Sequence, residues 1–238
     1  MQNYEPLNKC DYEEHLHFAL SRISHEIRNP VTLINSSLQI IEAEHPEVKD
    51  FQFWDDVKGD LSYLLTLLND LSSYNNGNSL TLECFKPGPW LKDLLLRLVL
   101  LKKQEPPSLC CQIQPDLPDI TADPVKLRQL LTNLVRNALE AGCTSLTFSA
   151  FLDSGSLKMT LSDNGSGIPE EYQPTLFEPF VTHKSGGTGL GLALSRKIAE
   201  AHGGQLLLSS SNSSGTCFTV ILPTKMAAST KPSTKPPT

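Results

Sequence analysis

The chain has 238 residues, 39% hydrophobic and 19% charged, enough for one large or two modest domains with a real core. Its net charge of −6 argues against general nucleic-acid binding, which needs a basic face. Three lysines lie in the tail from Lys225 onward, so the rest of the chain sets 17 basic against 26 acidic residues and stands near −9. No segment reaches the roughly 18 unbroken apolar residues that a spanning helix takes, and the richest run, Trp90 to Leu101, is interrupted by Lys92, Asp93 and Arg97. The start, Met-Gln-Asn-Tyr-Glu, has neither the basic nor the apolar region of a secretory leader, so a cytoplasmic setting is expected. The six cysteines (10, 84, 110, 111, 143 and 217) show no CxxC spacing and are expected to be reduced, mostly buried thiols.

In chain order, two long helical patterns come first. Leu16, Leu20, Ile23, Ile27, Val31, Ile34, Leu38 and Ile41 step by three or four, with two successive steps of four around Pro30, where a bend is expected. Trp54, Val57, Leu61, Leu64, Leu68 and Leu71 alternate threes and fours without a break. Such seams need a partner. Two hairpins joined in a four-helix bundle would bury all four seams, which predicts a homodimer. The alternative is one hairpin lying on the rest of its own chain. Residues 42–50, with Pro46, read as the turn, and the polar run 72–79 as a linker.

Beyond it the texture becomes mixed. Strands are expected at 80–85 and 109–113, and a helix at 89–102. Asp123 as N-cap and Pro124 at the first helical position open a helix that stops at Gly142. Residues 146–152 and 157–162 alternate at period two around Asp153-Ser154-Gly155, a hairpin. A helix from about Gly189 to Gly203 precedes a last hairpin, 205–210 and 217–222. The whole is α+β: a helical hairpin, then a sandwich with helices on one face of a mixed sheet. The Ser-Thr-Lys-Pro repeats after Ala228 are low-complexity and expected to be disordered.

Three motifs in this half carry chemistry. Asn133 and Asn137 are four apart on one helix face, roughly 90° round from the stripe of Leu127, Leu130, Leu131, Leu134 and Ala138. Amide oxygens suit a magnesium ion that takes its other ligands from water and phosphates; two surface or capping asparagines are the plainer reading. Asp163 ends a strand and enters Asn-Gly-Ser-Gly, where Gly165 and Gly167 permit positive φ and close backbone approach. A carboxylate there can accept from the adenine amino group, or the motif is an ordinary turn. The run Gly186-Gly187-Thr188-Gly189-Leu190-Gly191 precedes a helix, so its N–H groups can cradle phosphates. It lacks the Walker ending, and no strand leads into it. Residues 177–185 read as a short lid over nucleotide, from which Lys184 reaches either a phosphate or solvent.

Upstream, His25 stands two residues from both Ile23 and Ile27 and so points off the seam. An exposed imidazole is largely neutral at pH 7 and nucleophilic. It can take a γ-phosphoryl group, with Glu26 accepting the proton and Asn29, one turn on, orienting water for the reverse hydrolysis. Apart from the downstream motifs it would read as an ordinary surface histidine.

Taken together these residues resemble bacterial sensor histidine kinases. Ser24-His25-Glu26-Ile27-Arg28-Asn29-Pro30 is similar to their phospho-acceptor box, and Asp123-Pro124 through Ala141 to their N box. Asp163 to Ile168, Phe177 to Phe180 and Gly187 to Gly191 resemble the glycine and F boxes, in the family's order. The match runs over about residues 12–224. It implies an N-terminal extension (1–11), a dimerisation and histidine-phosphotransfer hairpin (12–75), a Bergerat-type two-layer ATP-binding domain (80–224) and a tail (225–238). It implies His25 as the phosphorylated residue, Glu26 as its acid/base partner and Asn29 as the support for phosphatase activity. Asn137 falls at the Mg2+ ligand and Asp163 at the adenine reader. Asn133, Gly165, Gly167, Lys184, Gly187, Thr188, Gly189, Leu190 and Gly191 complete the ATP contacts. The lid with Thr182-His183-Lys184 resembles the nitrogen-regulatory-like subgroup, His183 replacing a more usual threonine.

The resemblance implies a homodimer and a response-regulator receiver domain as partner. About ten residues precede the first helix, which is taken to leave no room for a sensor domain, membrane anchor or signalling coil; a separate sensor protein is left open. Two other activities compete. The gyrase, mismatch-repair and chaperone ATPases place a glutamate base four residues before the metal asparagine, where this chain has Asn133, which cannot act as a base. A phosphotransfer adaptor with a vestigial ATP domain is the remaining alternative.

Overall fold

The computed structural model describes residues 9–100, 105–184 and 186–225, with side chains from Ile23 onward except His25. The expected tail from Ala228 therefore lies outside the described residues, as do the side chains of Cys10, Leu16 and Leu20. The chain divides into two compact units: residues to Gly77 with Glu178–Gly191, and Asn78–Phe177 with Leu192 onward.

In the first unit, helix α1 (Lys9–Glu44) runs through Pro30 as one helix and is joined to α2 (Trp54–Asn75) by a 3-10 turn at Pro46–Asp50. Glu42 receives both Lys49 and Lys58 across the turn, and the lysines hold its carboxyl below the usual range. Arg28 Nη2 donates to the Leu68 carbonyl at 3.0 Å, tying the helices at mid-length. Val31 of α1, Leu68 of α2 and Val48 of the turn are buried. The polar stretch expected as linker stays helical to Asn75, since nothing before Asn76-Gly77 stops the helix.

The second unit begins with a small antiparallel pair, β1 (Glu83–Phe85) and β3 (Ile120–Ala122). Between them lie α3 (Pro87–Leu100) and β2 (Ser108–Ile113). Then follow α4 (Pro124–Glu140), β4 (Ser145–Asp153), β5 (Ser156–Asp163), α5 (Gly191–Ala201), β6 (Gln205–Asn212) and β7 (Gly215–Pro223). The main sheet has the order β2-β4-β5-β7-β6, parallel only between β2 and β4. Register stacks Phe148 opposite Leu161 and Leu161 opposite Phe218, while Ala150, Met159 and Val220 form the next row. All six are at most 4% exposed and make the sheet side of the core. Leu91, Leu94 and Leu95 of α3, Leu130, Leu131 and Leu134 of α4, and Leu194 and Ile198 of α5 are buried with them.

Asp123 caps α4 as expected, its Oδ1 accepting from Val125 N (2.9 Å) and Lys126 N (3.0 Å). Its Oδ2 takes the Thr81 amide at 2.7 Å, which withdraws that residue from the strand expected over 80–85. The Asp123 N–H donates to Nε2 of buried His202 at 2.9 Å, and His202 Nδ1 donates to the Ile198 carbonyl at 2.8 Å. That pairing requires a neutral ring. Burial pushes the His202 pKa below its ordinary value, against the opposing pull of the Ile198 carbonyl and the Asp123 carboxylate.

The cysteines correct the expectation of mostly buried thiols. All those described are free, but only Cys143 is buried; Cys84 and Cys110 are exposed. Both occupy outward positions of short strands at the margin of the fold, where a small side chain covers nothing. Among the described residues no helix is long and apolar enough to cross a membrane.

Candidate functional site

The second unit carries a rigid corner. Asp163 is the last residue of β5, and its Oδ1 accepts from Gly165 N at 2.8 Å and Thr216 N at 3.3 Å. Asn164 Oδ1 accepts from Thr144 N (2.9 Å) and Ser145 N (2.8 Å), fixing the turn to the start of β4. Ser166 N donates to the Ala141 carbonyl at 3.1 Å, which binds the same turn to the C-terminal end of α4. Gly167 sits at φ +74°, and a Cβ there would run into the Asn212 carbonyl, so only glycine lets the chain pass β6. These bonds leave Asp163 Oδ2 without a hydrogen bond among the described residues. It is a half-buried acceptor held on a fixed frame.

Thr216, which the sequence did not single out, adds to this corner. It is buried, donates its amide to Asp163 and shares a 3.0 Å hydroxyl bond with Ser211, whose Oγ accepts from Ile168 N at 2.8 Å. One threonine in an alternating strand gives no sign of this; only the pairing of β7 with β5 reveals it.

Asn137 lies half-buried on α4, one turn before the carbonyl that holds Ser166. Asn133, expected to share its face, is 8% exposed, and its Nδ2 donates to Ser195 Oγ on α5 at 3.3 Å. That side of α4 is covered by α5, so Asn133 also links two helices. Among the described residues there is no group of three His, Cys, Asp or Glu able to hold a metal. A lone amide oxygen fits a magnesium ion whose remaining ligands come with a phosphate-bearing ligand and water.

The remaining candidates belong to the first unit. Glu26 and Asn29 are exposed on α1, beside buried Ser24; His25 is in the same helix, its side chain outside the described residues. The lid segment turns back on itself. Lys184 N donates to Thr182 Oγ1 (3.2 Å), Gly187 N to the Lys184 carbonyl (3.2 Å) and Phe180 N to the Gly189 carbonyl (3.1 Å). Gly189 has φ +68° and lies where a Cβ would strike the Phe180 and Val181 backbone. Thr188 Oγ1 donates to Asp70 Oδ2 of α2 at 2.6 Å and receives Leu190 N at 3.4 Å. Leu190 is fully buried, Lys184 is exposed, and Gly191 opens α5. Asp70 is a second residue the sequence gave no reason to choose: it reads as one more acid on the polar side of a helix.

Comparison with known proteins divides the chain in sequence, with the segment 178–191 inside the second match. Residues 17–79 match the His Kinase A (phospho-acceptor) domain, and residues 122–226 match the histidine kinase-, DNA gyrase B-, and HSP90-like ATPase. The chain is 33% identical over 228 residues to the sensor protein TorS of Escherichia coli K12, covering 90% of this chain and 25% of that protein. The full-length structure of ShkA in complex with AMPPNP superposes with a TM-score of 0.74 at 23% identity, over 88% of this chain and 46% of that one. Histidine kinase ThkA in complex with the response regulator protein TrrA gives a TM-score of 0.63 at 22% identity, over 94% and 68% of the two chains. At these identities the structures attest the fold. The chain spans a quarter to a half of the length of the first curated relatives it matches.

Proposed function

The chain belongs to the histidine kinase family, and from that membership we propose that it autophosphorylates His25 with ATP and passes the phosphoryl group to an aspartate of a response-regulator receiver domain. The observation that carries this reading is Asp163. One carboxylate oxygen is consumed by Gly165 and Thr216, and the other is left to accept from an exocyclic amine, as adenine presents and guanine at that position does not.

In this reading Asp163 holds adenine, with Gly165 and Gly167 keeping the backbone close. Gly187, Thr188, Gly189, Leu190 and Gly191 take the phosphates, with Asn133 and Lys184 in support. A magnesium ion held through Asn137 supplies charge neutralisation at the phosphate oxygens. One ring nitrogen of neutral His25 forms a bond to the γ-phosphorus as the bond to the ADP oxygen breaks, and the proton on the other nitrogen passes to Glu26. Asn29 orients a water that hydrolyses the regulator's acyl phosphate. The hairpin (12–75) pairs with that of a second copy, the ATP-binding domain spans 80–224, and the protein works in the cytoplasm.

Incubation with γ-labelled ATP and magnesium tests this. We expect acid-labile, base-stable label on the wild-type chain and none on His25→Gln. Steady phosphate release without labelled protein, or label retained in His25→Gln, contradicts it. Asn29→Ala is expected to keep autophosphorylation but to slow dephosphorylation of the regulator at least several-fold; an unchanged rate removes that role.

A further inference from the structure

We propose that Asp70 latches the phosphate cradle to the helical hairpin when no nucleotide is bound. The inference rests on the reading of Gly187–Gly191 as that cradle, and names how it is regulated.

The Thr188 hydroxyl has one proton, and that proton is given to Asp70 Oδ2 at 2.6 Å, the length of a bond from a hydroxyl to an ionised carboxylate. Its oxygen receives Leu190 N. Its one donor is therefore committed, and a phosphate oxygen, which can only accept, can use this hydroxyl only after Asp70 gives it up. Asp70 also sets a negative charge beside the segment that would receive a polyphosphate. It is half-buried, where repulsion is screened less than at an open surface. Both effects have one sign: Mg·ATP and the Thr188–Asp70 bond exclude each other. By reciprocity, nucleotide frees the cradle from α2, and loss of the latch raises nucleotide affinity. Asp70 is thus a positioning residue that acts through Thr188. The bond forms between segments 118 residues apart in sequence, so no local turn requirement accounts for it.

The test uses the full chain and magnesium with AMPPNP. Asp70→Ala is expected to bind about 5- to 20-fold more tightly than wild type by calorimetry. In a Thr188→Val background the same substitution is expected to lose most of that gain. Equal affinities for wild type and Asp70→Ala, or a gain undiminished in Thr188→Val, overturn the latch. Hydrogen exchange at 187–190 without nucleotide reads the contact independently of ATP. Faster exchange in Asp70→Ala supports the latch even in a chain that binds no nucleotide, a result that would instead sink the kinase reading. Unchanged exchange overturns the latch.

Discussion

In the sheet-bearing unit the alternating positions of β4, β5 and β7 are almost fully enclosed, Phe148 and Ala150 at 0% and Met159 at 2% exposure. On the helical hairpin, Ile23, Ile27, Ile34 and Ile41 keep 39–52% of their surface, and Val57 48%. Sequence periodicity is clear in both. The strands find their covering helices within one chain, whereas two helices and their turn enclose few residues, here Val31, Leu68 and, on the turn, Val48. A regular apolar seam left open on a single chain is the surface that the proposed pairing with a second copy would cover.

The sharpest way to break this contrast is to empty a position in each region. Phe148→Ala is expected to destabilise the sheet-bearing unit by about 3–5 kcal/mol, read as a fall in its urea midpoint, because a large enclosed cavity cannot collapse. Ile27→Ala is expected to leave the single chain's folding nearly unchanged yet weaken self-association by roughly tenfold in sedimentation, through lost apolar burial. If Ile27→Ala unfolds the hairpin without changing its oligomeric state, the seam is used within the chain instead.

A smaller effect sharpens the account of the core. His202 is held neutral, and its folded pKa lies below the ordinary value of 6.5. The unfolded chain therefore binds this proton first as pH falls. The stabilisation is complete above about 6.5 and declines on acidification towards the folded pKa, by at most about 1.4 kcal/mol per pH unit. A urea midpoint that drops between pH 7 and 5.5, with the drop reduced in His202→Gln, is the expected result. A slope identical in both chains removes His202 as its source.

Much of the fold could be read in advance because its signals are local. Asp123 and Pro124 announce α4 by cap chemistry, and the two hairpins announce themselves by alternation around Gly-containing turns. What escaped depends on distant neighbours. Ile120–Ala122 is too short for a period and becomes a strand only through β1. Residues 80–82 are extended in character, but the Thr81 amide is claimed by a carboxylate 42 positions away. The Asp163 turn was legible because glycine spacing encodes close approach. Thr216, Ser195 and Asp70 were not, since each is an ordinary polar residue until folding brings its partner alongside. Asn133 was expected to share a face with Asn137, yet its burial comes from α5, which helical geometry alone does not place.

The central claim is that the frame around Asp163 recognises adenine. Calorimetry of the folded chain with excess magnesium tests it most directly. The account predicts saturable binding of ADP and AMPPNP, no measurable binding of the guanine nucleotides, and at least a roughly hundredfold loss in Asp163→Ala with the unit still folded. Wild-type protein that takes up no adenine nucleotide, or an Asp163→Ala chain that binds it as well as wild type, would contradict it.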